Sequence, residues 1–270
     1  MNEHNPLIEE VVSAVLSKPK YNAILPGLAM QIAERELAKG RKPREAIKEV
    51  SAKLHQVGAA YFKLAPRYKQ WKTELENLPG DPADEGVRAF CLKVMQAHSS
   101  TAERLPILED FFRETLASLA PLESLADLAC GLNPLALPWM PLASGARYGG
   151  CDIFSDLIDF DNAFLTHCGL HAGLTSADVF SYTIGKPVQL ALLLKSLPCL
   201  EQLEKGCAQE MLENIPAMYI LASYPIRSLG GKSKGMRQTY SAQFEALTAD
   251  KKWKVTRFDF PSELAYLVEK

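Results

Sequence analysis

Asp127-Leu-Ala-Cys-Gly-Leu-Asn-Pro-Leu-Ala-Leu137 decides how the chain folds, because it runs out of the apolar segment Leu125 to Ala129 and into a helical one. A glycine at such a strand-to-helix handover, here Gly131, lets the backbone approach a ligand with no side chain in the way. A dinucleotide fingerprint would carry three glycines around a pyrophosphate; this loop carries one, and suits a nucleoside bearing an amino acid better. Asp152 follows about twenty residues on, at the end of the next apolar run, where an acid accepts hydrogen bonds from both ribose hydroxyls. Asp178, in Asp178-Val-Phe, is expected at the end of the third strand, on the carboxyl edge of the sheet, placed for an adenine amino group. Either aspartate alone is equally a helix cap or turn residue; the two together, after a glycine loop, point to a ligand. Arg104, on the helix before the first strand, is expected to clamp a carboxylate with its planar fork, a surface salt bridge being the alternative.

Outward from that loop, the runs Tyr148 to Ile153, Val188 to Leu194 and Met218 to Ser223 suit strands of a largely parallel sheet covered on both faces. Trp253 to Phe260 alternates, Pro261-Ser262 turns and Leu264 to Val268 returns, which predicts an antiparallel pair ending the sheet. An α/β sheet closed by one hairpin is the class I (Rossmann-like) methyltransferase arrangement, and dinucleotide dehydrogenases usually lack that ending. Upstream, Ser100-Thr-Ala-Glu103 fits a capping box and predicts a helix from Ala102 to about Ser118.

The first hundred residues read as helices. Leu7, Val11 and Val15 recur at helical spacing, Ala29 to Ala38 continues until Gly40, and Pro43 opens a helix lined on one side by Ile47, Val50, Leu54 and Val57. Leu78-Pro-Gly-Asp-Pro-Ala is the clearest loop. The expected division is an all-helical domain over 1–100 and a Rossmann-like domain over 101–270.

With 270 residues and 47% hydrophobic content the chain can bury a real core. No run approaches the roughly 18 to 20 apolar residues of a membrane span, and Met1 to Glu10 has no apolar signal core, so a soluble cytoplasmic protein is expected. The six cysteines show no paired spacing, and Thr166-His167-Cys168 with His171 lacks a second ligand pair, so no metal site is expected. Net charge is only −2, but between Lys39 and Lys72 ten cations, including Lys63, Arg67 and Lys69, face only Glu45 and Glu49. Taken alone, that stretch is better explained by a solvated helix face than by a nucleic-acid partner. Arg227-Ser-Leu-Gly-Gly-Lys-Ser-Lys-Gly-Met-Arg237 adds a second cluster of Arg227, Lys232, Lys234 and Arg237 with no acid, just after a strand that ends near the glycine loop, and is expected to reach RNA phosphates.

Together with His98-Ser-Ser-Thr-Ala-Glu-Arg-Leu105, Cys151-Asp-Ile, Leu194-Lys-Ser-Leu-Pro-Cys-Leu-Glu201, Ser223 to Met236 with its Ser-Leu-Gly-Gly segment, and Glu263-Leu-Ala-Tyr-Leu, the glycine loop resembles the aminoglycoside-resistance 16S rRNA (guanine-N7) methyltransferases, the Arm/Rmt group, over nearly the whole chain. The resemblance implies methyl transfer from S-adenosylmethionine to N7 of guanine 1405 of 16S rRNA within the 30S ribosomal subunit, conferring aminoglycoside resistance. A monomer is expected, since nothing in the sequence suggests an obligate dimer. It implies that Arg104, Gly131, Asp152 and Asp178, with their neighbours Ala129, Ile153 and Val179, surround the donor, and that Lys195 and Leu197 wall the adenine. It implies that Lys232 and Met236 hold the target region, and that Lys20, His55 and the Lys63 to Lys72 run, with Arg67, Lys69 and Lys72, form a docking surface. For His55 a packed histidine is the alternative, given its apolar neighbours. Pro19 departs from the usual basic pair, and Ser196 and Cys199 replace bulkier apolar residues.

Guanine N7 offers an in-plane lone pair, so no proton has to be removed and no residue is nominated as general base; catalysis is expected from positioning. The base must leave its stack to be reached, at a cost of a few kcal/mol. A small-molecule methyltransferase, which would survive loss of the first hundred residues, and a non-catalytic RNA-binding protein, which would bind no donor, are the competing possibilities.

Overall fold

Asn5 starts the first helix: its side chain accepts the Leu7 N–H at 3.1 Å, and Pro6 occupies the first turn, where its missing N–H costs nothing. The same proline device opens α2 and α3, so the computed structural model begins with α1 (Pro6–Leu16), α2 (Pro26–Ala38) and α3 (Pro43–Val57). The structure describes residues 5–62, 65–226 and 235–270. Val11 and Val15 of α1, Ala29 and Ile32 of α2, and Val50 and Leu54 of α3 are buried against one another. Truncating a buried leucine such as Leu54 to alanine costs about 2–5 kcal/mol.

α4 (Tyr68–Glu76) and α5 (Glu85–Met95) follow, separated by the expected proline-rich loop, with the Asp84 carboxylate accepting the Gly86 and Val87 N–H groups at the start of α5. The single helix expected over 102–118 is two. α6 (Ser99–Arg104) ends in a tight turn, Leu105–Ile107, before α7 (Leu108–Leu116). Pro106 is the reason, since it can neither donate to the preceding turn nor avoid its carbonyl. The capping box is also not formed: His98 caps α6, Ser100 lies inside it, and the Glu103 carboxylate is drawn to Lys195 Nζ at 3.1 Å.

Among the described residues seven strands then make one sheet: β1 (Leu122–Leu128), β2 (Leu142–Asp152), β3 (His171–Ser176), β4 (Val188–Leu194), β5 (Ala217–Pro225), β6 (Lys254–Asp259) and β7 (Glu263–Glu269). Their order is β3-β2-β1-β4-β5-β7-β6, parallel except that β7 runs antiparallel to both β5 and β6. This is the α/β class I sheet with its terminal hairpin, and the hairpin's second strand is the one inserted beside β5. α8 (Ser155–His167), α9 (Leu197–Leu203), α10 (Cys207–Asn214) and α11 (Met236–Thr248) connect the strands. The chain leaves β1 toward β2 and β3 on one side and returns to β4 on the other, and the carboxyl ends of β1 and β4 therefore flank the crevice where open sheets take ligands.

The buried side chains of α1 to α5 belong to the same contiguous apolar cluster as Leu122, Leu125, Tyr148 and Leu192 of the sheet. Leu25 N–H donates to the Ile153 carbonyl, and Ser155 N–H to that of Ala23, both at 2.9 Å, stitching the segment before α2 to the loop after β2. The six cysteines are free thiols. His167 Nε2 lies 3.1 Å from the Pro79 carbonyl oxygen. Among the described residues no helix is long and apolar enough to cross a membrane.

Candidate functional site

β1 delivers the glycine loop to the crevice in a conformation few residues tolerate. Ala129 and Gly131 take φ of +56° and +52°, and the Gly131 N–H thereby turns to donate to Asp152 Oδ2 at 2.9 Å. Behind them Gly150 (φ +141°) passes so close to β1 that a Cβ there would lie 2.0 Å from the Asp127 carbonyl oxygen. Any side chain at 150 would force the two strands apart and move Asp152 with them.

Asp152 Oδ1 also accepts the Phe154 N–H at 3.3 Å. Burial pushes its carboxyl above the ordinary aspartate range, and the N–H groups of Gly131, Phe154 and Ile153 pull it back. Each oxygen keeps a lone pair for a further donor. Asp178, just past the end of β3 and beside the end of β2, is buried, with Oδ1 holding the Phe180 N–H at 2.9 Å. Asp127, at the root of the loop, is a structural acid: burial pushes it up to about 7 against the hydrogen bonds from Asn133 (2.7 Å) and Tyr148 (2.8 Å).

These groups open onto a common cleft. Of the residues expected around a donor, Ala129, Gly131, Asp152 and Ile153 line it from the β1 and β2 ends, Asp178 and Val179 from the β3 end, and Lys195 from the β4 end. Arg104 and Leu197 do not. Leu197 is packed in the apolar layer around Leu193 and Ile220. Arg104 is fully buried and its fork is taken: Nε and Nη2 meet the Glu263 carboxylate at 3.0 and 2.6 Å, while Nη1 donates to Asn133 Oδ1 at 2.9 Å.

That ion pair is part of a network which sequence reasoning missed. Glu263, at the start of β7, also faces Lys195 Nζ at 3.3 Å and accepts the Ser223 hydroxyl. Burial alone would raise its carboxyl, but Arg104 and Lys195 outweigh burial and hold it below the ordinary glutamate range. Lys195, held at φ +59°, donates as well to the Ser100 carbonyl and to Glu103, both at 3.1 Å. The cleft wall is thus a buried, charge-balanced lattice joining α6, β4, β5 and β7.

A second feature missed is that the helical front end supplies a wall of the cleft. Leu28 of α2, Val57 and Gly58 at the end of α3, and Tyr61 and Phe62 beyond it line the same cavity as Gly131. Gln56 bonds Gln202, Tyr61 Oη lies 2.7 Å from Cys199 Sγ, and Arg35 pairs with Glu204 at 3.0 Å, so α9 is gripped along its length. The apolar spacing of α3 was the available signal, since Val57 continues its buried stripe beyond Leu54.

The basic residues divide into an outward-facing group and one paired with a buried acid. Lys20, His55, Arg67 and Lys69 are exposed and Lys72 half-buried, with Arg44 and Lys48 exposed on α3. His55 is accordingly not a packed histidine. Lys39, Arg41 and Lys53, by contrast, converge on the buried carboxylate of Glu36 at 2.7, 2.8 and 2.9 Å. Burial raises the Glu36 carboxyl, the hydrogen bonds from Lys39, Lys53 and Arg41 overcome it, and its pKa falls to about 2. Met236 and Arg237 begin α11 half-buried, and Arg237 is bonded to Asp259 and to the Phe260 carbonyl. Lys63, Arg227, Lys232 and Lys234 lie outside the described residues.

The family model described as ribosomal RNA methyltransferase (FmrO) matches residues 17–267. A 16S rRNA (guanine(1405)-N(7))-methyltransferase of Micromonospora echinospora is 34% identical over 266 residues, covering 97% of each chain. One of Serratia marcescens is 30% identical over 263 residues, covering 97% of this chain and 98% of its own. Among solved structures, the 16S rRNA methyltransferase RmtF in complex with S-adenosyl-L-homocysteine superposes with a TM-score of 0.82 at 29% identity, covering 99% of this chain and 100% of that one. A sheet of this order, a glycine loop facing Asp152 and a match over almost the full length agree: the chain belongs to the FmrO family of ribosomal RNA methyltransferases.

Proposed function

We propose that this protein transfers a methyl group from S-adenosylmethionine to N7 of guanine 1405 of 16S rRNA, acting as a monomer on the 30S subunit. The observation that carries it is the cleft at the β1/β4 switch, floored by Gly131 and Asp152 and walled by the same helical module that displays exposed cations.

The residues present fit the donor. Asp152 offers its carboxylate, already oriented by two N–H groups, to the ribose hydroxyls, and Asp178, at the end of the neighbouring strand, serves the adenine. Ala129, Ile153 and Val179 supply apolar surface beside them, with the Lys195 stem. Arg104 acts from behind through Glu263 and Lys195, its guanidinium fixing that wall rather than meeting the donor. When bound, the donor supplies an electrophilic methyl on a sulfonium.

Guanine N7 would bring its own in-plane lone pair to the donor's methyl, so no residue of the chain has to take a proton. The protein therefore needs no general base, and its contribution is alignment at near-attack distance. Lys20, Arg44, Lys48, His55, Arg67, Lys69 and Lys72 are the proposed phosphate-facing set, positioning the subunit without reading sequence. Residues 1–100 are proposed as the docking module and 101–270 as the donor module, a division of function, since the two share one apolar cluster.

The test is incorporation of labelled methyl from S-adenosylmethionine into purified 30S subunits, with 50S subunits in parallel. Label in 30S alone is expected; label in neither would refute the proposal.

A further inference from the structure

His98 belongs to neither the donor-binding nor the phosphate-facing set, yet it stands where the two meet. Its half-buried ring lines the cleft. On one side it lies against the glycine loop so closely that a Cβ on Gly131 would come within 3.1 Å of its Cε1. On the other it stacks on Tyr61, with centroids 5.6 Å apart and planes 17° apart, and meets the Phe62 ring edge-on at 5.1 Å. Phe62 in turn packs edge-on against Phe154, the residue whose N–H holds Asp152.

The backbone of His98 is pinned as firmly as its ring. It pairs with Phe62 as an isolated antiparallel bridge. Its carbonyl accepts the Ala102 N–H at 2.9 Å and the Thr101 hydroxyl at 3.1 Å, because it caps α6, the helix that carries Arg104 to Glu263. A ring held this way cannot shift without moving either the loop or Tyr61. Stacked aromatic pairs favour this offset arrangement.

We propose that His98 is a positioning residue for the methyl transfer: its ring holds Tyr61, from the helical module, in register with the donor loop at Gly131. The base delivered by the helical module and the methyl held at the loop must meet in line, and a misplacement of about 1 Å is enough to cost on the order of a hundredfold in rate. His98 is the packed link through which that spacing is set. The proposal rests on the methyltransferase function above.

The test separates turnover from binding with purified full-length protein, 30S subunits and S-adenosylmethionine. For His98→Ala the expected result is a kcat lower by about ten- to a hundredfold, with donor Kd changed less than about threefold and 30S Kd unchanged. His98→Phe, which keeps a flat ring between Tyr61 and the loop, is expected to recover most of the lost kcat. A Gly131→Ala, His98→Ala double variant is expected to lose less than the two single losses combined, because removing the ring relieves the contact that the added methyl makes. Unchanged kcat in His98→Ala, a His98→Phe variant as slow as His98→Ala, or strictly additive losses would each overturn the proposal. A wild-type protein that methylates no 30S subunits would instead refute the function itself.

Discussion

At the scale of single residues, Asp152 and Glu263 do opposite jobs with the same group. Asp152 keeps lone pairs for a ligand while two backbone N–H groups aim it. Replacing it with alanine is expected to weaken S-adenosylmethionine binding at least a hundredfold in calorimetry, since two ligand hydrogen bonds to a charged acceptor, each about 1.5–3 kcal/mol, are lost together; 30S affinity should stay within about threefold. Glu263 spends its charge inside the protein, and Glu263→Gln leaves Arg104 and Lys195 as buried cations facing a neutral amide. Losing one member of such a pair costs about 3–5 kcal/mol, to be read as a fall in the urea midpoint with the slope unchanged. The placement of Asp152 beside the glycine loop was legible in the sequence because it follows from its spacing to Gly131. Glu263 was not, because its partner Arg104 is 159 residues away and only the folded sheet brings the two together. The same contact explains why Arg104, expected at a ligand carboxylate, has its fork filled from within.

Among the elements, helix boundaries and strand runs were readable wherever proline, glycine or alternation marked them, and the terminal hairpin followed from Pro261-Ser262. Pro106 inside the expected helix over 102–118 carried the signal for its break, but the apparent capping box at Ser100 masked it; the fold turns Glu103 toward Lys195 instead. Charge was legible in amount and not in direction. Glu36, just upstream of the cationic run, gathers three of its members and removes them from the docking face. Its folded pKa of about 2 lies below the ordinary glutamate value near 4.5. It therefore contributes stability in full above about pH 4.5, which is lost as the pH falls toward 2. Glu36→Gln should lower stability at pH 7 by about 1–2 kcal/mol, discounted because Lys39, Arg41 and Lys53 are partly exposed. Urea titrations from pH 7 to 3 should then show a flatter acid limb; a limb as steep as wild type would place the acid sensitivity elsewhere. Arg67 and Lys69, exposed at the head of α4, are expected to meet phosphates. Neutralising both should weaken 30S binding and reduce the slope of log K against log salt by up to about 1.5 to 2, with donor affinity unchanged.

For the whole molecule, the consequential fact is that the helical module both faces outward with its cations and closes the cleft with Leu28, Val57 and Tyr61. A piece spanning 101–270 should accordingly bind S-adenosylmethionine at least tenfold more weakly than the full chain, having lost one cleft wall and its side of a shared apolar cluster, and calorimetry on any soluble preparation reads this directly. Sequence periodicity could assign the helices to a separate unit but could not show that their inner ends complete the site, because such packing depends on which loop they dock against. The central claim is that this architecture brings one ribosomal purine, by its N7, to the methyl held at Gly131 and Asp152. The most direct measurement is to treat 30S subunits with enzyme and donor, cleave the RNA chemically at 7-methylguanosine, and map the stops by primer extension. A single new stop reporting guanine 1405 is predicted; methylated subunits with the stop elsewhere, or with none, would contradict the account.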